Sequence, residues 1–204
     1  GGAGNDTLNA TVGANTLDSS LLQSGSGNNR FIVTANTTLE SLTVSGGTGG
    51  DSLEITAAAD NLYFTGAADN DSVLVTGALT NSTLFGGAGN DSLFVDGAVT
   101  DVLLQTSTGN NTFDIDGATK ATVNGGSGKD VMIVTGAISG GEYSFGGNND
   151  KFDQDGANDV KGTFKMGEGN DSLDFGGTGT DATIYLGTGA DTLVVADVLT
   201  DSTV

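Results

Sequence analysis

The stretch Gly86-Gly87-Ala88-Gly89-Asn90-Asp91-Ser92-Leu93-Phe94-Val95 decides how this chain folds. A glycine-rich bend is closed by an acidic residue and runs straight into a segment of alternating apolar side chains. Variants of the bend recur along the 204 residues, among them Gly1-Gly2-Ala3-Gly4-Asn5-Asp6, Gly46-Gly47-Thr48-Gly49-Gly50-Asp51, Gly125-Gly126-Ser127-Gly128-Lys129-Asp130, Gly167-Glu168-Gly169-Asn170-Asp171 and Gly187-Thr188-Gly189-Ala190-Asp191. The closing residues, or anchors, are Asp6, Asn29, Asp51, Asp71, Asp91, Asn111, Asp130, Asp150, Asp171 and Asp191; successive anchors lie 19 to 23 residues apart, the two longest gaps coming first. Self-similarity at this period marks a solenoid, in which one coil cannot bury its apolar face alone and stacks on its copy.

Two residues beyond every anchor stands an apolar residue: Leu8, Phe31, Leu53, Val73, Leu93, Phe113, Met132, Phe152, Leu173 and Leu193. Four beyond it the column runs Ala10, Val33, Ile55, Val75, Val95, Ile115, Val134, Gln154, Phe175 and Val195, with Gln154 the one departure. This period-two alternation predicts a strand with one buried face. A second turn follows, such as Asp96-Gly97-Ala98-Val99-Thr100-Asp101, and then a returning strand from which Leu84, Leu104, Val123, Phe164, Ile184 and Val204 are expected to point inward. Tyr63, Leu103 and Tyr143 are expected on its outward face, interrupting a column of Thr83, Thr122, Thr163, Thr183 and Thr203. Frequent glycine and β-branched residues oppose long helices. The expected fold is all-β: a right-handed parallel β-solenoid (a β-roll or β-helix) of about ten coils of ~20 residues, with two short strands per coil and the glycine-rich loops on one edge. Stacking at about 4.8 Å per coil makes a flattened rod about 45–50 Å long. Residues 1–204 read as a single array that opens inside a repeat and stops in mid-coil, as a segment of a longer solenoid would.

Composition narrows the chemistry. The chain has 26 acidic and 6 basic residues, for a formal charge of -20. Nucleic acid and anionic membranes are not expected partners, because phosphate recognition needs basic patches. No apolar run reaches membrane-spanning length, so no membrane insertion is expected. Histidine and cysteine are absent. Zinc and copper, which prefer nitrogen and sulfur, are therefore disfavoured, whereas oxygen ligands suited to calcium abound. No general base or nucleophile of the usual kinds stands out, so the segment is not expected to be an enzyme.

The loop itself suggests what the charge is for. Glycine permits backbone angles that turn carbonyl oxygens inward, and the closing aspartate adds a carboxylate. Calcium takes six to eight oxygens at about 2.3–2.6 Å, more than one loop supplies but within reach of two loops one coil apart. Ten loops leave room for up to about nine ions along one edge. Plain turns with stacked Asn and Asp ladders, holding no metal, would produce the same spacing. Asn29 and Asn111 lack charge, and their loops lack the double glycine, so sites there are expected to be weak or vacant. The other edge carries Asp60, Asn61, Asn81, Asp101, Asp181 and Asp201, read as a hydrogen-bonded or solvated turn.

These residues resemble the RTX (repeat-in-toxin) calcium-binding repeat, Gly-Gly-x-Gly-x-Asp-x-U-x with U a large apolar residue, and Gly86 to Phe94 matches at every specified position. The resemblance implies a β-roll that folds on calcium after type I secretion to the exterior. It also implies that loop carbonyls and the closing Asp are ligands: Gly87, Gly89 and Asp91, and likewise Gly47, Gly49 and Asp51. Carried along the chain, the same positions are Gly2, Gly4 and Asp6; Gly126, Gly128 and Asp130; Gly167, Gly169 and Asp171; Gly187, Gly189 and Asp191. The irregular loops contribute Asp69 and Asp71, and Asp150. One departure is plain: the family coil is eighteen residues with metal loops on both edges, whereas here only every second turn matches.

Array architecture and acidic composition also resemble bacterial surface-layer proteins and oscillin-type surface filaments. The leading expectation is an extracellular, calcium-binding structural protein at a bacterial cell surface, self-associating into a layer, filament or sheath. A calcium-triggered folding module of a secreted toxin, enzyme or adhesin is the alternative. Ice binding by Thr rows is a third and weaker one. Ile32, Leu74, Phe94, Ile133 and Val194 share an outward column and would form a lateral contact only if they made a continuous stripe.

Overall fold

The computed structural model describes residues 1–13 and 19–204. Every strand pairing among them is parallel and joins one coil to the next, so the chain is a parallel β-solenoid, with no helix among the described residues. Alternation after each anchor does what the pattern requires. Leu53 pairs with Val73, Val73 with Leu93, Leu93 with Phe113, Phe113 with Met132, Met132 with Phe152 and Phe152 with Leu173, and all of them are buried. Leu8 and Leu193 lie in the end coils and stay exposed or partly buried. Gln154 is buried in the second column; its amide nitrogen donates to the carbonyls of Gly136 (3.2 Å) and Asp155 (3.0 Å).

Each coil carries more pairing than two strands. After Ser72–Val75 comes the two-residue segment Leu79–Thr80, and only then the return Thr83–Ala88. Leu79 pairs with Ala59 on one side and Val99 on the other. This third column, Leu39, Ala59, Leu79, Val99, Ala118, Ile138 and Val160, is buried along its length. Directly after it the backbone turns through a left-handed residue: Ser41, Asn61, Asn81, Asp101, Lys120, Asp181 and Asp201 have φ between 47° and 55°. Asn and Asp tolerate that region because their short polar side chains bond locally, which accounts for their abundance on this edge. Asp60 accepts hydrogen bonds from Asn81 and Thr80 (2.8 Å each), which hold its carboxyl below the usual range, and also one from Asn61 Nδ2 (3.2 Å).

The return strand buries Leu84, Leu104, Val123, Phe164 and Ile184 as expected. Two positions differ. Val204, the last residue described, is 66% exposed. Tyr143 faces inward, paired with Val123 and Phe164, while Glu142 takes the outward slot between Thr122 and Thr163. A one-residue shift in register moves a side chain to the opposite face. The inward phenol is accommodated because it stacks on Phe164 (5.0 Å between centroids) and its hydroxyl donates to the Gly140 carbonyl (3.2 Å). The outward column after the anchors reads Ile32, Glu54, Leu74, Phe94, Asp114, Ile133, Asp153, Asp174 and Val194, so acidic residues break any apolar stripe.

Candidate metal centre

The glycine-rich loops all lie on one edge. Gly87 and Gly89 have φ of 105° and 142°, angles that side-chain-bearing residues rarely take. At Gly109 a Cβ would fall onto the carbonyl of Gly89 in the adjacent coil. Glycine is therefore demanded by close stacking of backbones, before any ligand is considered.

The bend turns each anchor side chain along the rod. The main-chain N–H of Asp51 donates to Oδ1 of Asp71 (2.7 Å), Asp71 to Asp91 (2.9 Å), Asp91 to Asn111 (2.9 Å), Asn111 to Asp130 (2.9 Å), Asp130 to Asp150 (2.7 Å) and Asp150 to Asp171 (2.8 Å). The same rung links Asp6 to Asn29 (3.0 Å), Asn29 to Asp51 (2.7 Å) and Asp171 to Asp191 (3.0 Å). A second ladder of opposite polarity runs one residue earlier: the main-chain N–H of Asn90 donates to the side chain of Asn70 (2.7 Å), Asn110 to Asn90 (2.7 Å) and Asn170 to Asn149 (2.8 Å). The ladders of the metal-free alternative are thus present.

They leave half of each carboxylate unused. Oδ2 of Asp51, Asp71, Asp91, Asp130, Asp150 and Asp171 is buried and has no hydrogen-bond partner. In the first four, Oδ2 faces Gly46, Gly66, Gly86 and Gly125, where a Cβ would collide with it. An uncompensated buried carboxylate costs several kcal/mol, so a row of six in register calls for positive charge or protons. The two neutral anchors reveal what surrounds that position. Nδ2 of Asn111 reaches the carbonyls of Gly109 (3.0 Å) and Gly125 (3.3 Å) and Oδ1 of Asp130 (2.9 Å). Nδ2 of Asn29 reaches the Gly27 carbonyl (2.6 Å) and Oδ1 of Asp51 (2.8 Å). The surroundings are oxygen acceptors from two successive coils, a donor set that fits a hard cation such as calcium. Among the described residues no three acidic side chains converge, so an ion here would rely heavily on main-chain oxygen.

The sequence-derived residues distribute unevenly. Asp51, Asp71, Asp91, Asp130, Asp150 and Asp171 form the buried row, whereas Asp6 and Asp191, in the end coils, are only half-buried. Oδ2 of Asp6 accepts the Gly2 N–H (3.2 Å). Gly4, Gly49, Gly128, Gly169 and Gly189 occupy the position of Gly109, whose carbonyl meets the Asn111 amide. The carbonyls of Gly2 and Gly87, by contrast, accept backbone N–H groups from the next coil; Gly47, Gly126, Gly167 and Gly187 share their place in the loop. Asp69 is exposed with φ 73°, standing where other loops have glycine. One feature was missed from sequence: the residue five before each anchor, whose carbonyl comes from the next coil, as at Gly125.

Burial pushes Asp71 and Asp150 up to about 7, with neighbouring carboxylates adding to the effect, and Asp130 up to about 6; Asp51, Asp91 and Asp171 rise for the same reason. The folded chain then holds protons that the unfolded chain has released. That stability is fully present below about pH 4 and is lost as pH rises through 6 to 7. In metal-free buffer the strand signal in circular dichroism is expected to be greater at pH 5 than at pH 8.

No protein-family model matches the chain, and no curated protein matches it. Among solved structures it is similar to a hyperactive, Ca2+-dependent, β-helical antifreeze protein from an Antarctic bacterium, at 28% identity and a TM-score of 0.73. The match covers 97% of this chain, which spans 60% of the length of that protein's chain.

Proposed function

We propose that this chain is a calcium-binding structural repeat of an extracellular bacterial protein, a rod that sets when its loop edge takes up cations. The observation that carries this reading is the row of six buried, partnerless Oδ2 atoms in otherwise well-paired loops. The Ca2+-dependent neighbour supports it, as does the acidic excess of the chain. Asp51, Asp71, Asp91, Asp130, Asp150 and Asp171 would hold the ions through Oδ2, together with the loop carbonyl two residues earlier and a carbonyl of the next coil. Bound calcium would supply positive charge that cancels the repulsion between stacked carboxylates and links one coil to its neighbour. The chain's own part is to present a pre-bent, closely stacked backbone and to keep water from the row. Without compensation, like charges one coil apart lie well inside a Debye length of about 8 Å and oppose stacking. Metal-coupled folding of this kind makes binding and folding one transition.

The likeness to the RTX repeat supports secretion in an unfolded form and setting outside the cell. Assembly into a surface layer, filament or sheath is favoured by the array architecture; a folding module attached to a secreted toxin, enzyme or adhesin is the alternative. Circular dichroism during calcium titration tests the core of the proposal. Strand signal is expected to appear cooperatively with calcium and not with magnesium, whose octahedral demand suits these loops poorly. Full strand signal in chelator at pH 8 would overturn it.

Ice binding is a second reading, favoured by the description of the neighbour as an antifreeze protein. The clamped row of Asn70, Asn90 and Asn110 is regular enough for it. The adjoining row is not: Ala68, Ala88, Thr108, Ser127, Gly147 and Glu168 differ in size and charge. The expected result of a thermal-hysteresis measurement in calcium is no activity.

A further inference from the structure

Two loops depart from the rest at two positions together. Where the anchor is Asn29, the residue five before it is Ser24; where it is Asn111, that residue is Thr106. At Asp anchors the same position is Gly1, Gly46, Gly66, Gly86 or Gly125, or the apolar Phe145, Met166 or Leu186, never a hydroxyl. Thr106 Oγ1 donates to the Gly125 carbonyl (2.6 Å), which the Asn111 amide also reaches, and Ser24 Oγ donates to the Gly46 carbonyl. Asn29 and Asn111 are as deeply buried as the Asp anchors, yet neither has an orphaned atom.

We propose that Asn29 with Ser24, and Asn111 with Thr106, are metal-free closures: the amide and hydroxyl satisfy with hydrogen bonds the oxygens that in the other loops would face a cation. The inference rests on the calcium reading above and deepens it. An amide removes the carboxylate's charge and places two N–H donors where Oδ2 would sit, and those donors meet the acceptors that would otherwise face an ion. The hydroxyl adds a donor to the carbonyl of the following coil, so the closure spans two coils as an ion would. Asp51, Asp71 and Asp91 therefore form one block of ion sites and Asp130, Asp150 and Asp171 another, separated by a joint at Asn111 that needs no ion of its own. Mixed loops of this kind preserve rod continuity while reducing the number of ions that must arrive together.

The pairing predicts an exchangeable code. The double variant Asn111→Asp with Thr106→Gly is expected to bind one more calcium per chain than the parent, counted by native mass spectrometry. The converse variant, Asp91→Asn with Gly86→Thr, is expected to bind one fewer and to gain its strand signal at a lower calcium concentration. A parent chain that binds no calcium would defeat the functional reading itself. A parent that binds calcium, with both variants keeping its count, would defeat only the closure. Should either variant fail to fold, the parent answers alone: in the calcium-saturated chain the Asn111 side-chain NH2 protons are expected to be exchange-protected by their acceptors, and rapid exchange of those protons would overturn the assignment.

Discussion

Phe152→Ala is expected to lower the unfolding free energy by about 3–5 kcal/mol, the range for removing a fully buried aromatic side chain. Phe152 lies at the centre of an aromatic cluster in the core. Its ring centroid is 5.0 Å from Phe164, 5.9 Å from Tyr143, 6.0 Å from Phe175 and 6.3 Å from Phe145. Met132 and Leu173 pair with it in the two adjoining coils. Alanine would leave a void spanning three coils, and strands tied by parallel rungs on both sides cannot collapse to fill it. Because each coil touches only its neighbours, the loss should be regional. Urea unfolding in saturating calcium, followed by circular dichroism and amide exchange, is expected to show the coils after Asn111 opening first. A loss below about 1 kcal/mol would mean that this cluster packs far more loosely than the ring distances indicate.

Gly109→Ala is expected to cost at least about 3 kcal/mol, through strain at a left-handed position and overpacking. Gly109 has φ 112°, and the added Cβ would press on the carbonyl and carbon of Gly89 and lie 3.1 Å from the nitrogen of Asn90. The position is chosen because its own loop closes through the Asn111 amide. Stacking geometry alone is then at stake, and the loss should be alike in low and high calcium wherever the parent is folded. Ala88→Ser, at an exposed position of the neighbouring loop, is the control and should fall within about 0.5 kcal/mol of the parent. Equal melting temperatures for Gly109→Ala and the parent would assign the glycines to ligand presentation instead of coil contact.

The coil was readable because its signals are periodic and local. The residue two after each anchor needed only the alternation of a strand, and its burial from Phe31 to Leu173 follows from it. Leu79 and its column escaped notice because a two-residue segment inside a turn has no period of its own. Tyr143 was placed on the wrong face because Gly140 and Gly141 allow either reading of the return, and only the packing of Phe164 and Phe152 selects one. In the loops, Asp91 announced itself by charge and spacing. That one of its oxygens serves the backbone while the other is stranded depends on the direction of the side chain, which spacing does not encode. Asn111 looked like a weakened Asp; its amide contacts become visible only when Gly125 of the next coil is in place.

The inter-coil bonds run lengthwise and the strands crosswise, which sets how the molecule answers a pull. Tension applied at the two ends meets the rungs of one coil at a time, as a zipper does, and not the whole array at once. Each coil that peels frees about 20 residues, ~70 Å of contour, against the ~4.8 Å it occupied while folded. Pulled in this way, the chain is expected to stay stiff up to a threshold force and then to yield in near-equal steps, with the ring-filled coils around Phe152 the last to give way.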